Sequence, residues 1–214
     1  MSTFTSKLVS ILFHPIFMPV FTLFILFNSP GIINQYYSGT SGLGGGDQRS
    51  RIYLVFFITT ILMPMVSFYI LKRNKMVSSF SMPHRKERFY PYFTTLVYYG
   101  ILYYLLRSNN FPGIFKSAAL GTIGVLIVIM LFNLRIKISS HAAGIAGVVG
   151  ILAVLIKQNW ILDGINSLAI VIVLAGLICT ARLSLNAHRQ IEIYLGAFVG
   201  FFIEFIFMNF KIII

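Results

Sequence analysis

A histidine that follows an arginine and precedes a glutamate is the feature of this sequence best suited to chemistry. The segment ARLSLNAHRQIE places Arg182 six residues before His188 and Glu192 four residues after it. If residues 188–192 are helical, Glu192 shares a helix face with His188 and accepts a proton from its imidazole. That contact would fix the tautomer and leave the other ring nitrogen as a nucleophile. The alternative interpretation is a simple contact on a helix surface.

A second histidine follows two serines at the predicted start of an apolar helix. In the segment KISSHAAG, these residues are Ser139, Ser140 and His141. The free N–H groups and the positive dipole end of a helix N-terminus suit an oxyanion. His141 would then serve as the proton donor to a leaving group. The alternative is a serine N-cap beside an incidental histidine.

A third polar segment, MPHRKERFYP, is basic. It places Arg85, Lys86 and Arg88 within four positions. Taken alone, it is typical of a basic cluster that flanks a membrane span. Taken with the other two segments, it completes what phosphomonoester hydrolysis needs. That set comprises cationic and hydroxyl donors for the phosphate oxygens, a nucleophile, an orienting carboxylate and a proton donor.

The elements that must position these residues are predicted to be membrane-spanning helices. Of the 214 residues, 57% are hydrophobic and 10% are charged, whereas soluble domains carry about 25% charged residues. The apolar residues form long runs, which favours helices over a barrel of alternating strands. We therefore predict an all-α, polytopic membrane helical bundle of six to seven transmembrane helices in one domain, 1–214. The candidate spans are 8–28, 52–71, 92–106, 115–134, 142–157, 161–180 and 191–210.

Individual spans carry their own expectations. The first is predicted to be retained, because no small-residue cleavage site follows it. The span 92–106 is short and rich in tyrosine, which indicates a tilted or partly interfacial helix. Glu204 in the last span must face the bundle interior, since a carboxylate facing lipid is costly. The glycine-rich loop 29–51 is predicted to be a flexible linker.

The order of the spans places the three polar segments on one side of the membrane. Two spans separate the connection 72–91 from the connection 135–141, and two more separate the latter from 181–190. An even number of crossings returns the chain to the same face. A shared site requires this arrangement, whereas scattered loop charges do not.

Several partner and cofactor classes receive little support. The net charge of +12 is spread over short loops without a basic helix face, so we predict no nucleic-acid partner. The five acidic residues form no Asp-rich cluster, so neither a metal nor a cofactor is predicted. Haem ligation by two of the four histidines stays open as an alternative. Cys179 lies alone in an apolar run and supports no disulfide framework.

These segments resemble the type 2 phosphatidic acid phosphatase superfamily. KISSHAAG is similar to its second motif, Pro-Ser-Gly-His, and ARLSLNAHRQIE to its third, Ser-Arg-x5-His-x3-Asp. The segment MPHRKERFYP stands where the first motif, Lys-x6-Arg-Pro, is expected. The resemblance covers about residues 75–200, the phosphatase-like core. The sequence departs from the motifs at Ile138, Ser140, Ala181 and Glu192, and Ser78 or Ser81 occupies the place of the first-motif lysine.

The resemblance implies a role for each matching residue. His188 would form a phosphohistidine, Glu192 would take the place of the aspartate, and His141 would protonate the leaving oxygen. The implied phosphate-binding residues are Arg182, Ser139, Ser140 through its backbone N–H, Arg88, Lys86 and Arg85.

The implied function is a metal-independent membrane lipid phosphatase that hydrolyses a lipid phosphate or pyrophosphate. Candidate substrates are undecaprenyl pyrophosphate, phosphatidic acid, phosphatidylglycerophosphate and a lipid A phosphate. The alternative is a catalytically degenerate subunit that binds a lipid phosphate on the same scaffold. The implied location is the bacterial inner membrane. The side of the membrane with the three polar segments carries more Lys and Arg residues than the other side, which would make it cytoplasmic. The two counts become equal when the candidate site residues are left out. The resemblance favours a periplasmic site.

Overall fold

The structure is entirely helical in its regular elements, as the apolar runs predict. This computed structural model describes residues 1–31, 45–79, 82, 85–109, 111–162 and 164–210, without the side chains of residues 45–48, 85 and 86. Extended pairing within this part is limited to an isolated bridge between Gly31 and Ile161. The helices are α1 (Thr3–Leu12), α2 (Met18–Asn28), α3 (Gly45–Phe56), α4 (Met63–Arg73), α5 (Phe89–Ser108), α6 (Gly113–Asn133), α7 (Ser140–Lys157), α8 (Gly164–Ser184) and α9 (Gln190–Asn209).

Six helical stretches of the described chain are long and apolar enough to cross a membrane. They are Thr3–Asn28, Arg49–Arg73, Gly113–Asn133, Ser140–Lys157, Gly164–Ser184 and Gln190–Asn209. The tyrosine-rich α5 is a seventh helix of 20 residues, longer than the span 92–106 that we predict from sequence. The prediction of an all-α polytopic bundle with six to seven such helices is confirmed.

The first membrane stretch is broken rather than continuous. The predicted span 8–28 divides into α1 and α2, with a 3₁₀ turn at Pro15–Phe17 between them. Pro15 has no N–H to donate to the preceding turn, so the helix cannot run through it unchanged. The Nδ1 atom of His14 accepts a hydrogen bond from Ile16 N at 3.3 Å and caps the new turn. His14 therefore has a structural role at this break in the helix.

A π-helical turn at Phe57–Leu62 joins α3 to α4. It precedes Pro64, whose missing N–H would otherwise leave a gap in the helical ladder. The wider turn lets Met63 N bond to Ile58 O. The hydroxyl of Thr60 donates to Phe56 O at 2.8 Å, and this bond satisfies a further carbonyl.

Helices α7 and α9 pack backbone to backbone along a seam of small residues. A Cβ atom added at Gly200 would collide with the carbonyl of Ala143, and one at Gly196 would lie 2.5 Å from Ser139 O. On α7, Gly150 has the same relation to Phe201, with 2.6 Å between an added Cβ and its carbonyl oxygen. Small residues four apart allow this close approach of membrane helices. The seam brings the N-termini of α7 and α9 together.

Glu204 faces the bundle interior, as predicted for a carboxyl group in an apolar span. Its side chain is 3% exposed, and its Oε1 accepts a hydrogen bond from Thr122 Oγ1 at 2.7 Å. The absence of a side chain at Gly121 leaves the room that Oε2 occupies.

Contacts between the ends of helices show which connections lie at the same end of the bundle. Ser6 near the start of α1 lies 2.6 Å from Ser184 at the end of α8, oxygen to oxygen. At the other side, Leu162 N donates to Pro30 O at 2.7 Å. The connections that carry the three polar segments lie on the Ser6–Ser184 side.

Candidate active site

His188 and Glu192 make the contact that the sequence predicts, but through a different local structure. His188 Nδ1 lies 2.9 Å from Glu192 Oε2. The expectation that 188–192 is helical is wrong, since α9 begins at Gln190. Glu192 is the third residue of that helix and reaches back across its N-terminus, as in a capping box. Its Oε2 also accepts from Arg189 N at 3.2 Å.

This geometry selects one tautomer of His188. Because a carboxylate can only accept hydrogen bonds, the proton in the contact belongs to Nδ1 of His188. The Nε2 atom therefore carries the free lone pair. Burial lowers the pKa of His188 to about 4, the charges of Lys137 and Arg182 contribute to the shift, and Glu192 opposes it. His188 is consequently neutral at pH 7, which is the state that a nucleophile needs.

Arg182 lies in the last turn of α8 and contributes a buried donor. Its Nε atom is buried and has no hydrogen-bond partner among the described residues. Arg182 lies within electrostatic reach of His188, His141 and Arg88. A buried donor of this kind is costly unless an acceptor binds there. The guanidinium is therefore suited to an anion that the polypeptide does not supply.

The first segment contributes Arg88 to the same place. Arg88 is 5% exposed, and its Nε and Nη2 atoms donate to Met82 O at 3.0 and 2.8 Å. The side chains of Arg85 and Lys86 lie outside the described residues. Ser78, at one candidate position for the first-motif lysine, donates its hydroxyl to Glu87 Oε2 at 2.8 Å.

Lys137 joins the site although the sequence reasoning did not select it. Its Nζ donates to Ala187 O at 2.6 Å. It lines an open cavity of about 460 Å³ whose other lining residues include His188, Arg189 and Glu192. Burial lowers the pKa of Lys137, and the charges of Arg88 and Arg182 add to the effect, while Glu192 opposes it.

The serines at the start of α7 have structural partners. Ser139 is fully buried, and its hydroxyl accepts from Ala142 N at 3.4 Å as the helix N-cap. Its backbone N–H donates to Glu192 O at 3.1 Å. The side chain of Ser140 lies near the hydroxyl of Tyr92 on α5. The alternative interpretation of Ser139 as an N-cap is thus present in the structure, and its buried hydroxyl does not reach the cavity.

His141 lies at the start of α7 and contacts the broken first span. Its Nε2 is 3.1 Å from Ser10 O, and because a carbonyl only accepts, Nε2 carries the proton. Its ring packs edge to face against His14, with the centroids 5.1 Å apart. Arg182 and His188 are within electrostatic reach of the ring. The proton on Nε2 points toward α1, so delivery of a proton to a leaving group would need a second proton, on Nδ1, or a rearranged bond.

The structure therefore brings together residues from all three predicted segments. Arg88, Arg182, His141, His188 and Glu192 meet at one end of the bundle. The arrangement combines an oriented neutral imidazole with the buried Arg88 and the partly buried Arg182, which suits attack on an anionic phosphorus centre. Among the described residues, no three His, Cys, Asp or Glu side chains form a group that could hold a metal ion.

The sequence reasoning missed Lys137 and Tyr92. Lys137 is the first residue of the second segment, KISSHAAG, so its position two residues before Ser139 was available as a signal. Tyr92 was interpreted as an interfacial aromatic, and its partner Ser140 is distant in sequence. Comparisons with protein-family models, with curated proteins and with solved structures found no match to this chain.

Proposed function

We propose that this protein is an integral membrane lipid phosphatase that works through a phosphohistidine at His188. Its substrate would be the phosphate or pyrophosphate of a membrane lipid. The candidates are undecaprenyl pyrophosphate, phosphatidic acid, phosphatidylglycerophosphate and a lipid A phosphate. A bacterial inner membrane is the proposed location.

The observation that carries the proposal is the excess of buried and partly buried positive charge around an oriented imidazole. The described part of the site has one carboxylate, that of Glu192, for three cationic side chains: Arg88, Lys137 and Arg182. The Arg182 Nε donor is buried without a partner there. A phosphate monoester dianion would balance the charge and accept the free hydrogen bonds.

The proposed reaction has two steps. In the first, His188 Nε2 attacks phosphorus and the bond from phosphorus to the leaving oxygen breaks. The electron pair stays on that oxygen, which takes a proton and departs with the lipid. In the second, water attacks the phosphohistidine, the P–N bond breaks, and its electron pair returns to Nε2 as inorganic phosphate forms.

Glu192 and the cations would act at different points of this sequence. Glu192 holds the Nδ1 proton and stabilises the imidazolium character that develops during attack, as orienting carboxylates do in other triads. Arg88 and Arg182 would stabilise the negative charge on the equatorial phosphate oxygens. His141 is the proposed proton donor to the leaving oxygen; it would act as an imidazolium through a second proton on Nδ1 and regain that proton from the attacking water of the second step.

A lipid substrate is supported by the position of the cavity. It lies among the connections at one end of the apolar helices, where a lipid headgroup meets water. The acyl or prenyl chains would then remain in the bilayer while the phosphate reaches His188.

A non-enzymatic lipid-phosphate binder is the second candidate. It is favoured by the hydrogen bond from His141 Nε2 to Ser10 O, which occupies the proton that an acid catalyst would use. Such a protein would bind a phosphate with the same cations and release no product.

A phosphate-release assay on purified protein in detergent separates these candidates. The substrates are the four lipid phosphates, each with and without EDTA. We expect release from at least one lipid, unaffected by EDTA and blocked by vanadate, a mimic of the five-coordinate phosphoryl state. His188→Ala should abolish release, and Arg107→Ala on the opposite face is the control. Release that EDTA removes and Mg²⁺ restores would assign the chemistry to a metal.

A further inference from the structure

We propose that Lys137 is an anion-binding and positioning residue of this site. One N–H of its ammonium holds the turn that carries His188, and the others are available to a phosphate oxygen. This inference rests on the phosphate site of the proposed function. It adds Lys137, the first residue of the segment KISSHAAG in the connection between α6 and α7, to which the motif resemblance gives no role.

The positioning role follows from the contact between Lys137 and Ala187. Lys137 Nζ donates to Ala187 O at 2.6 Å, and Ala187 directly precedes His188. The turn is closed on its other side by the bond from Ala187 N to Arg182 O at 3.2 Å. Lys137 is 50 residues away in sequence, so it ties the His188 turn to a separate part of the bundle.

The anion-binding role follows from the donors and the cavity. A lysine ammonium has three N–H donors, and the contact with Ala187 uses one. Lys137, His188 and Glu192 line the same cavity. An oxygen of a phosphate bound at His188 Nε2 would therefore enter a space that the ammonium also borders.

The charges around Lys137 give a second, independent argument. Arg88 and Arg182 both repel its charge, whereas Glu192 attracts it. Glu192 is also bound to His188 and to the Arg189 N–H. A half-buried ammonium beside two guanidinium groups is stabilised when an anion joins them.

The two roles predict different measurable effects of removing the lysine. The charged and titratable groups near His188 are Lys137, Arg182, Glu192, His141 and Arg189. The positive charge of Lys137 lowers the pKa of His188, so its removal should raise that pKa. A lysine whose ammonium does not lie at the His188 turn would leave the titration of His188 unchanged when the fold is intact.

The first measurement is the binding of inorganic phosphate by isothermal titration calorimetry in detergent. The proteins are wild type, Lys137→Met, Lys137→Gln, Lys137→Arg and the control Lys7→Met, which removes an exposed lysine on the same side. We expect the Met and Gln variants to bind phosphate roughly ten- to hundredfold more weakly, as for loss of a charged hydrogen bond. Lys137→Arg should retain most of the affinity, and Lys7→Met should match wild type.

The second measurement is the pH midpoint at which diethyl pyrocarbonate modifies His188, followed by mass spectrometry of the peptide. The reagent reacts with unprotonated imidazole. The midpoint should rise by roughly half a pH unit or more in Lys137→Met and Lys137→Gln, and stay at the wild-type value in Lys137→Arg and Lys7→Met. Thermal melting identifies any variant that fails to fold.

The outcomes separate this inference from the proposed function. Wild type that binds no phosphate, or folded Lys137→Met that binds it as tightly as wild type, would overturn the anion-binding role. An unchanged midpoint in folded Lys137→Met would overturn the positioning role. Neither measurement needs turnover, so the inference stands if phosphate binding and the midpoint respond to Lys137 even when wild type hydrolyses no lipid.

Discussion

Glu192 makes two kinds of hydrogen bond because it lies in the first turn of a helix. As the third residue of α9, its carboxylate satisfies the free Arg189 N–H and also holds Nδ1 of His188. The same oxygen thus stabilises the helix start and selects the tautomer. A substitution there affects local stability and any histidine chemistry, and the two effects have different sizes.

We predict that Glu192→Gln lowers kcat strongly while changing phosphate binding little. Glutamine keeps the shape but loses the charge, and its amide can rotate to donate to Nδ1, which selects the wrong tautomer. By analogy with the orienting carboxylate of other triads, the fall could reach about 10⁴-fold. The measurement is kcat with a lipid phosphate in detergent, together with phosphate affinity.

The control for this prediction is Ile191→Ala, an exposed change in the same helical turn that does not line the cavity. In Glu192→Gln, loss of the helix cap should lower the free energy of unfolding by about 1 kcal/mol. Thermal melting would register this change without loss of fold. If wild type is active and folded Glu192→Gln turns over equally fast, the assignment of His188 and Glu192 to catalysis is wrong.

His141 gives a second prediction at this scale. If it protonates the leaving oxygen, His141→Ala should lose activity on a lipid phosphate but retain some on p-nitrophenyl phosphate, whose leaving group needs no proton. The measurement is kcat on both substrates.

The structural alternative for His141 has its own control, since its Nε2 bonds to Ser10 O. His141→Gln can keep that hydrogen bond without serving as an acid. Full activity of His141→Gln on the lipid phosphate would contradict the acid role. So would a His141→Ala variant that loses its stability together with its activity on both substrates.

At the scale of elements, the contact of α7 with α9 positions the site. The two helices begin at Ser140 and Gln190 and carry His141 and Glu192 on their first turns. The bond from Ser139 N to Glu192 O at 3.1 Å joins these starts directly. The separation of the helices, set by their glycines, therefore controls how the catalytic candidates meet.

We predict that Gly200→Ala destabilises the protein and impairs phosphate binding. The new Cβ would collide with the Ala143 carbonyl, and a backbone atom cannot rotate away. Overpacking of this kind costs about 1–3 kcal/mol. Gly176→Ala on α8 is the matched control, because an added Cβ there meets nothing within 4 Å. Thermal melting of the two variants tests whether α7 and α9 pack closely at Gly200. Equal melting temperatures of the two variants would contradict that packing.

The interior carboxyl group of Glu204 predicts a coupling with Gly121. Gly121→Ala places a methyl group where Glu204 Oε2 lies, so it should lower the melting temperature in the wild-type background. In a Glu204→Ala background that space is empty, and the same change should be nearly neutral. The double-mutant cycle should show coupling of about 0.5–3 kcal/mol. Additive effects would mean that the two residues do not share the space.

At the scale of the whole molecule, the number of crossings determines which connections share a side. Seven helical passages place the connections after α4, α6 and α8 at the end of the bundle that holds His188. The same arrangement leaves the N-terminus at that end. The shared site depends on this parity, and on no single helix boundary.

Cysteine labelling tests the parity directly. In a Cys179→Ser background, we expect Asn74→Cys and Ile136→Cys to react with a membrane-impermeant thiol reagent added from one side. Asn109→Cys and Leu162→Cys should react from the other side. The measurement is labelling of sealed vesicles before and after permeabilisation, and it also gives the orientation. Asn74 and Ile136 on opposite sides would rule out a site built from the three segments.

Local physics explains how much was predictable from sequence. Long apolar runs require helices in lipid, because each backbone group must be satisfied within its own segment. The helical class and the parity of the connections therefore follow from composition and order. The neighbourhood of His188 and Glu192 follows as well, since residues four apart are close at a helix start. Pro15 signals the break of the first span, although the span itself was predicted as continuous.

Tertiary packing decided the rest. Lys137 meets Ala187 across 50 residues, and Tyr92 meets Ser140 across two helices, so no spacing rule relates them. The burial of Ser139 depends on the close approach of α9, and the direction of the His141 proton depends on Ser10 in the first helix. The types of residue available for phosphate chemistry were thus set by the sequence. Which of them surround one cavity was decided by contacts between distant helices, whose energies no local pattern encodes.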